Sequence, residues 1–515
     1  MHGRTLQTTR RIGVVVGYAL VYLLIWAGLV MLFAAAGIRY FWGEISVGQM
    51  LLNLVSVETD GGGGAIVWIG ILVVGVAPVL ITAGIALWQA YRRRRRRLGR
   101  VAPSGRSPWL ARSVATVLVG TLVIGGTTAF ARTVGVADYI EASNSDYDIA
   151  DYYSEPVVTS AEDKRNLVLI YLESGEATLE DDQLFEKDAF APLKDVTGTS
   201  DGWQTVENFQ QYEGGGWTMS GLVSTMCGVP LKAAGADGSS GGSDKPDDDV
   251  ESYLGGITCL GDVLADNGYT NVFLGGANSS FAAKDTFLKD HGYSEVKGLR
   301  DWRIAGESEN DFRSDWGLSD ERLLENAKTE IDRLYADAQE SGQPFNLSLL
   351  TLDTHEPVHV YDYCDVDTEQ PVTSVFSCSM TLMAGFVDYM EEQGYLEDTA
   401  VVIMGDHLKH MNAGDAFHEQ LDDHENRTIF NRIRVPGTTP PLRDGVDQLN
   451  MYPTILEAAG LTVADSAAGV GISAFEPRVP AASAQGLDGP FYDELVTSLS
   501  PRFFERAWAG GNLPQ

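Results

Sequence analysis

Lysine is scarce in this chain, and so are cysteine and histidine. Of 515 residues, 4 are cysteine and 8 are histidine, and there is no lysine before residue 164. Acids are nearly missing from the first 133 positions, where Glu44, Glu58 and Asp60 stand against 14 Lys and Arg, for a net +11. The rest of the chain reverses the balance, with 23 bases against 68 acids and a net charge of −45. Such an acidic stretch has no basic stripe with which to follow a phosphate backbone, which excludes nucleic acid as its partner. It suits work in concentrated salt, where screening cuts electrostatic reach to about 3 Å at ~1 M. Cys227, Cys259, Cys364 and Cys378 lack zinc-ribbon spacing. No internal repeat is present.

Charge is also absent from three long runs, residues 12–38, 65–91 and 113–131. Each reaches the roughly 20 residues that cross a ~30 Å hydrocarbon core. Pro78 lies inside the second, where a membrane helix tolerates it. The first run is longer than a signal-peptide core and has no evident cleavage site, so it is expected to be retained. Orientation follows the basic loops. Arg4, Arg10 and Arg11 precede the first run, and YRRRRRRLGR (91–100) with Arg106 and Arg112 separates the second from the third. Both are expected in the cytoplasm. The 39–64 loop and everything after Arg132 are then extracytoplasmic, in a multi-pass plasma-membrane protein. All four cysteines fall in that outer part, an oxidising setting, and sequence proximity pairs 227 with 259 and 364 with 378.

Residues 133–163 are polar, acidic and aromatic, and read as a stalk before a catalytic domain at 164–515. There, apolar strands alternate with amphipathic helices. NLVLIYLE (166–173), GYTNVFLGG (268–276), PFNLSLLTLD (344–353) and TAVVIMGD (399–406) are the strands. ITCLGDVLADNG (257–268), SDERLLENAKTEIDRLYADAQESG (319–342) and SMTLMAGFVDYMEEQG (379–394) are helical. This is an α/β fold with a parallel sheet. GADGSSGGSDKPDDD (235–249) is an acidic surface loop.

Three strands run into chemically active residues: Glu173, then Asp353-Thr354-His355, then Asp406-His407. Parallel strands share one C-terminal edge, where ligands bind, so residues far apart in sequence meet there. Carboxylates with imidazole suit Mn²⁺ or Zn²⁺. QYEGGGWTMSGLVSTMCGVPL (211–231) supplies a hydroxyl after flexible glycines. Thr218 on such a metal would be an activated nucleophile, and Ser220, Ser224 and Thr225 are its rivals. His410, His418 and His424 lack strand context and read as surface residues.

At these positions the sequence resembles a known family. NLVLIYLESGEATL, GGGWTMSGLVSTMCGVPL, CLGDVLADNGYTNVFLGGANSSFAAKDTFLKDHGY, NDFRSDWGLSD, LTLDTHEP and GDHLKHMN stand in the order found in phosphoglycerol transferases of the alkaline phosphatase/sulfatase superfamily. The likeness covers roughly 165–460. It is greatest to those that modify osmoregulated periplasmic glucans, and more distant to lipoteichoic acid synthases. The resemblance implies one divalent ion, Mn²⁺ with Zn²⁺ or Mg²⁺ as alternatives, held by Glu173, Thr218, Asp406 and His407. It makes Thr218 the nucleophile and His355 a phosphate or leaving-group contact. Asp315 and Trp316 are placed in the head-group pocket, and the four cysteines in disulfides. The implied donor is phosphatidylglycerol and the acceptor a glycan or polymer. The chain ends soon after the 165–460 core, so the extra C-terminal region of the glucan enzymes is expected to be missing or much reduced. Cys227 is followed by Gly-Val-Pro-Leu, without the x-Pro-x-Arg of a formylglycine sulfatase. A phosphoethanolamine transferase or phosphodiesterase of the same superfamily is the alternative enzyme. A non-catalytic membrane sensor or scaffold is the alternative without chemistry, and the intact residue set speaks against it.

Overall fold

The computed structural model describes residues 2–41, 43, 68–98, 108–232, 252–313, 316–356, 358–410, 416–422, 424–437 and 440–509. The acidic 235–249 loop, most of the 39–64 loop and Asp315 lie outside them. The described residues form two compact units, one reaching Asp138 and the other beginning at Tyr139.

The first unit contains α1 (His2–Phe41), α2 (Ala77–Arg97, entered through a π-helical turn at Ile71–Val76) and α3 (Pro108–Thr133). Within them Gly13–Phe41, Trp68–Arg97 and Arg112–Thr133 are long and apolar enough to cross a membrane. Their exposed faces carry residues such as Val15, Leu80, Leu87, Val117 and Ile124. An all-round apolar helix of this kind needs lipid or protein around it.

The second unit opens with α4, which runs across the boundary from Val136 to Ser143. A short strand, β1 (Val158–Ser160), follows. Much of the expected stalk is thus built into the second unit. Ile149 is fully buried in the core, and β1 pairs with the late strand Thr462–Val463. The aromatic side chains that made 133–163 look like a solvated linker pack instead. Tyr147, Tyr152 and Tyr153 all lie against the core.

The main sheet is built from β2 (Asn166–Leu172), β3 (Trp203–Gln204), β4 (Thr270–Gly275), β5 (Glu295–Lys297), β6 (Phe345–Leu350), β7 (Thr399–Gly405) and β8 (Asn431–Arg434). Their order is β3-β8-β7-β2-β6-β4-β5. The five from β7 to β5 are parallel, β8 pairs antiparallel with β7, and β3 at the edge pairs antiparallel with β8. The sheet is therefore mixed. The edge strands are too short for the continuous apolar runs that reveal parallel strands buried on both faces.

β2 explains the layering. Leu167, Leu169 and Tyr171 enter one hydrophobic cluster, while Val168, Ile170 and Leu172 enter the other. Alternation along one strand thus feeds two cores, and each fully buried aliphatic side chain contributes about 1.5–3 kcal/mol. Against the first face lie α5 (Thr218–Cys227), α6 (Leu260–Asp266) and, later in the chain, Met451–Ala458. Against the second lie α8 (Asp320–Ser341) and α9 (Pro371–Glu392), whereas α7 (Lys284–Asp290) buries Phe287 and Leu288 in the first cluster. α9 starts at a proline eight residues ahead of the expected 379, because proline suits the first helical turn.

Candidate metal centre and active site

Register places the strand ends together. Leu172 of β2 pairs with Gly405 of β7, and Tyr171 pairs with Leu350 of β6. The next residues, Glu173 and Asp406, therefore emerge side by side. This closeness needs glycine: a Cβ on Gly405 would meet the Gly175 carbonyl oxygen at 2.1 Å, and one on Gly221 would meet the Asp406 carbonyl oxygen at 2.1 Å. The second contact lets α5 press directly on the β7 loop.

Glu173, Asp406 and His407 form one buried cluster, each offering an atom within 4.8 Å of the others. His407 Nε2 lies 3.6 Å from Glu173 Oε1 and 3.5 Å from Asp406 Oδ2. Its Nδ1 donates to the Leu408 carbonyl at 2.7 Å. In the neutral ring Nε2 then turns a lone pair toward the two carboxylates. Asp406 Oδ1 accepts from the N–H groups of Ser174 and His407, both at 2.8 Å, but its Oδ2 is buried with no hydrogen-bond partner. Thr218, the first residue of α5, brings Oγ1 to 3.3 Å from Glu173 Oε2.

The electrostatics of the cluster call for a cation. Burial, together with the adjacent Glu173 charge, pushes Asp406 up to about 7. Burial also works to raise Glu173, but the imidazoles of His355 and His407 and the Ser174 hydroxyl outweigh it and hold the carboxyl below its usual range. Burial lowers His407, yet Asp406 and Glu173 more than reverse this and raise it. Two buried carboxylates, one with an orphaned oxygen, an imidazole lone pair and a hydroxyl fit one divalent ion.

The rival hydroxyls are spent elsewhere. Ser220 Oγ is engaged by Tyr212 Oη and donates to the Gly214 carbonyl at 3.0 Å. Ser224 and Thr225 bond back to the Gly221 carbonyl at 2.9 and 2.7 Å. All three are fully buried. Asp353, although at a strand end, turns away from the cluster: its Oδ2 accepts from Tyr363 Oη at 2.5 Å, and burial raises the carboxyl well above its usual range. Thr354 Oγ1 donates to the Glu173 carbonyl at 2.6 Å and Thr351 Oγ1 accepts from the Glu173 N–H at 2.9 Å, which fastens β6 to the Glu173 backbone.

His355 stands beside the cluster, lowered by burial against the pull of Glu173. Its Nδ1 donates to the Glu356 carbonyl at 2.7 Å, its own carbonyl accepts from Arg313 at 2.7 Å, and its ring lies 4.5 Å from that of Trp316. Trp316 thus reaches the site from a short hairpin, Phe312–Arg313 with Gly317–Leu318. Its expected companion Asp315 lies outside the described residues.

Four contributors carried no signal in the sequence. Ser174 sits at φ 55°, an unusual conformation for serine, and bonds both Asp406 and Glu173. Gln448 donates to the Asp406 carbonyl at 2.7 Å. Lys284 on α7 is 5% exposed, and burial pushes its ammonium down to about 8 against the attraction of Glu173 and Asp406. His410, expected at the surface, lies 4.9 Å ring to ring from His407, and burial with the His407 charge pushes it down to about 3. His418 and His424 do not join the cluster.

Disulfides join Cys227 to Cys259 and Cys364 to Cys378. The first links the end of α5 to the start of α6, so Cys227 is not available for conversion to formylglycine. A second close group, Cys259, Asp262 and His291, is occupied internally. Cys259 is in the disulfide, and Asp262 Oδ2 lies 2.7 Å from His291 Nδ1.

The chain is similar to known proteins. Residues 165–461 match the sulfatase family profile. Phosphoglycerol transferase I of Salmonella heidelberg is 32% identical over 408 residues, covering 77% of this chain and 48% of its own length. The same figures hold for that of Salmonella typhi. The chain therefore spans about half the length of the curated relatives it matches. Among solved structures, an alkaline phosphatase superfamily protein of Vibrio parahaemolyticus superposes with a TM-score of 0.51 at 17% identity, over 73% of this chain and 96% of that one. The lipoteichoic acid synthase LtaP of Listeria monocytogenes gives 0.48 at 16%, over 62% and 79%. With the profile covering more than half of its residues and an alkaline phosphatase-like fold around the cluster, the chain belongs to the sulfatase family.

Proposed function

We propose that this protein is a membrane-anchored transferase that moves phosphoglycerol from phosphatidylglycerol to an extracytoplasmic glycan or polymer, with Thr218 as nucleophile. The observation that carries the reading is the position of Thr218 Oγ1 at the helix start, 3.3 Å from Glu173 in the Glu173–Asp406–His407 cluster. Salmonella phosphoglycerol transferase I, a relative over most of this chain, supports the choice of group.

Glu173, Asp406, His407 and Thr218 would hold the divalent ion, which lowers the hydroxyl pKa and neutralises phosphate charge. Thr218 Oγ1 attacks phosphorus, the bond from phosphorus to the diacylglycerol oxygen breaks, and the phosphoglycerol group rests on threonine. An acceptor hydroxyl then attacks the same phosphorus and the bond to Oγ1 breaks. His355, with Nδ1–H committed to Glu356, offers Nε2 to carry the proton that leaves one oxygen and arrives at another. The Lys284 ammonium and the N–H groups that open α5 favour the phosphate oxygens. Trp316, whose ring lies beside that of His355, forms the side of the pocket toward the head group.

The basic residues flanking the first two apolar runs favour an outer catalytic unit, and two disulfides in that unit agree with an oxidising compartment. Full-length protein in membranes containing labelled phosphatidylglycerol is expected to release diacylglycerol with Mn²⁺ and not with a chelator. No diacylglycerol under any divalent ion would sink the proposal. Release only from phosphatidylethanolamine would replace phosphoglycerol with phosphoethanolamine as the transferred group.

A further inference from the structure

Lys409 follows His407 by two residues, and its side chain is 1% exposed. Its Nζ donates to Glu356 Oε1 at 2.6 Å, with the Phe417 ring 6.0 Å away. Its backbone is also committed. The N–H donates to Glu176 Oε2 at 3.0 Å, and the carbonyl accepts from Arg427 at 2.5 Å. Glu176 is fully buried and takes Arg427 Nε at 2.8 Å. Lys409 is therefore anchored in the Asp406–His407 loop, tied to the Glu173 loop through Glu176, and its ammonium crosses to the loop after β6.

On that loop Glu356 has a second role. Its carbonyl accepts the His355 Nδ1–H at 2.7 Å. A carbonyl only accepts, so this bond fixes the proton on Nδ1 and leaves Nε2 toward the cluster. Stability alone is a poor reason to keep such a pair, since well-packed apolar residues often replace buried ion pairs without loss. An apolar pair would not aim the Glu356 backbone.

We propose that Lys409 is a positioning residue which, through Glu356, holds the His355 imidazole in one tautomer and at one distance from the Glu173–Asp406–His407 cluster. The inference rests on the phosphotransfer reading for its kinetic consequence, but not for its structural one. With His355 displaced, proton transfer at the leaving oxygen slows while phosphate binding does not.

The test uses the full-length protein with Mn²⁺ and bis(4-nitrophenyl) phosphate, an activated phosphodiester that does not require the natural donor. Lys409→Met is expected to lower kcat about 10–100-fold, with KM and Mn²⁺ affinity within about twofold of wild type. Lys409→Arg is expected to recover most of the rate. Should the methionine variant not fold, Glu356→Gln carries the same expectation. Long-range ¹H–¹⁵N spectra of ¹⁵N-histidine-labelled protein supply a readout independent of turnover: one Nδ1–H tautomer for His355 in wild type, and a mixture in Lys409→Met. Full kcat in the methionine variant, loss of Mn²⁺ affinity in step with rate, or an unchanged tautomer would each overturn the positioning role. Wild-type protein inactive on both this diester and phosphatidylglycerol would overturn the phosphotransfer reading, and the tautomer would still decide the role of Lys409.

Discussion

Thr218 Oγ1 lies 3.3 Å from Glu173 Oε2 across 45 residues of sequence. The approach is made by β2, which delivers Glu173, and by α5, which reaches the Asp406 carbonyl only because position 221 has no side chain. Thr218→Ala removes one oxygen and one methyl from a partly buried helix start. The expected result is loss of transfer by ~10³-fold or more, with a melting temperature near that of wild type. Thr218→Ser keeps the hydroxyl and should retain measurable activity. Normal turnover in the alanine variant would exclude Thr218 as nucleophile.

Metal removal should be legible in stability. Asp406 is raised to about 7 and His407 is also raised. A buried carboxyl with a raised folded pKa costs stability once the pH exceeds its unfolded value near 4. A raised imidazole contributes below its unfolded pKa and loses that contribution as pH climbs through the folded one. Glu173 is lowered and works the other way, losing stability only as the pH falls into the acid range. Between pH 5 and 8 Asp406 and His407 therefore weaken the metal-free protein as pH rises, while the lowered imidazoles of His355 and His410 offset part of that loss up to their unfolded value near 6.5. A divalent ion binds the deprotonated ligands, so its stabilisation should grow over the same window, reaching about 2.7 kcal/mol at a hundredfold excess over Kd. Thermal melts with chelator and with Mn²⁺ at pH 5.5 and 8 measure it. An equal or smaller Mn²⁺ effect at pH 8 would count against the cluster as a metal site.

Much of this was readable from the chain. NLVLIYL and TAVVIMG are strands buried on both faces, and their continuous apolar runs reveal them. Because parallel strands end at one edge, Glu173, Asp406 and His407 could be expected to meet before any coordinates. The short edge strands Trp203–Gln204 and Asn431–Arg434 carried too few residues to show a period. His410 lies beside His407 but past the end of its strand, where no periodic pattern marks it in the sequence. Ser174 and Lys284 act through backbone conformation and tertiary packing, and Gly405 is required because a Cβ there would meet the Gly175 carbonyl oxygen at 2.1 Å. None of these constraints is local in sequence.

The disulfide between Cys364 and Cys378 closes a separation of 14 residues, and that between Cys227 and Cys259 one of 32. In the chain-entropy model these are worth about 3 and about 3.7 kcal/mol. The smaller should matter more to catalysis, because Cys364 adjoins Tyr363, whose hydroxyl donates to Asp353, two residues before His355. Paired Cys364→Ser and Cys378→Ser substitution is expected to reduce turnover more than the pair at 227 and 259, despite a smaller drop in melting temperature. Peptide mapping without reductant should recover both linkages. Four free thiols in protein from its native membrane would contradict an oxidising location.

Charge supplies the last prediction. Residues 134–515 carry a net −45, and phosphatidylglycerol is anionic, so donor membrane and catalytic unit should repel. At ~0.1 M salt the Debye length is about 10 Å and the repulsion survives; at ~1 M it is about 3 Å and contact is screened. Diacylglycerol release should therefore rise between 0.1 M and molar salt, chiefly through a lower apparent KM for the vesicle surface. Diluting phosphatidylglycerol with zwitterionic lipid lowers the surface charge and should flatten the salt response. Thin-layer analysis of lipid products over a salt series, on vesicles of both compositions and with Mn²⁺ present, measures both effects. A rate that falls with salt on both vesicles would show that the acidic surface does not govern access. A rate that rises equally on both would assign the salt effect to the folded protein rather than to its meeting with the membrane.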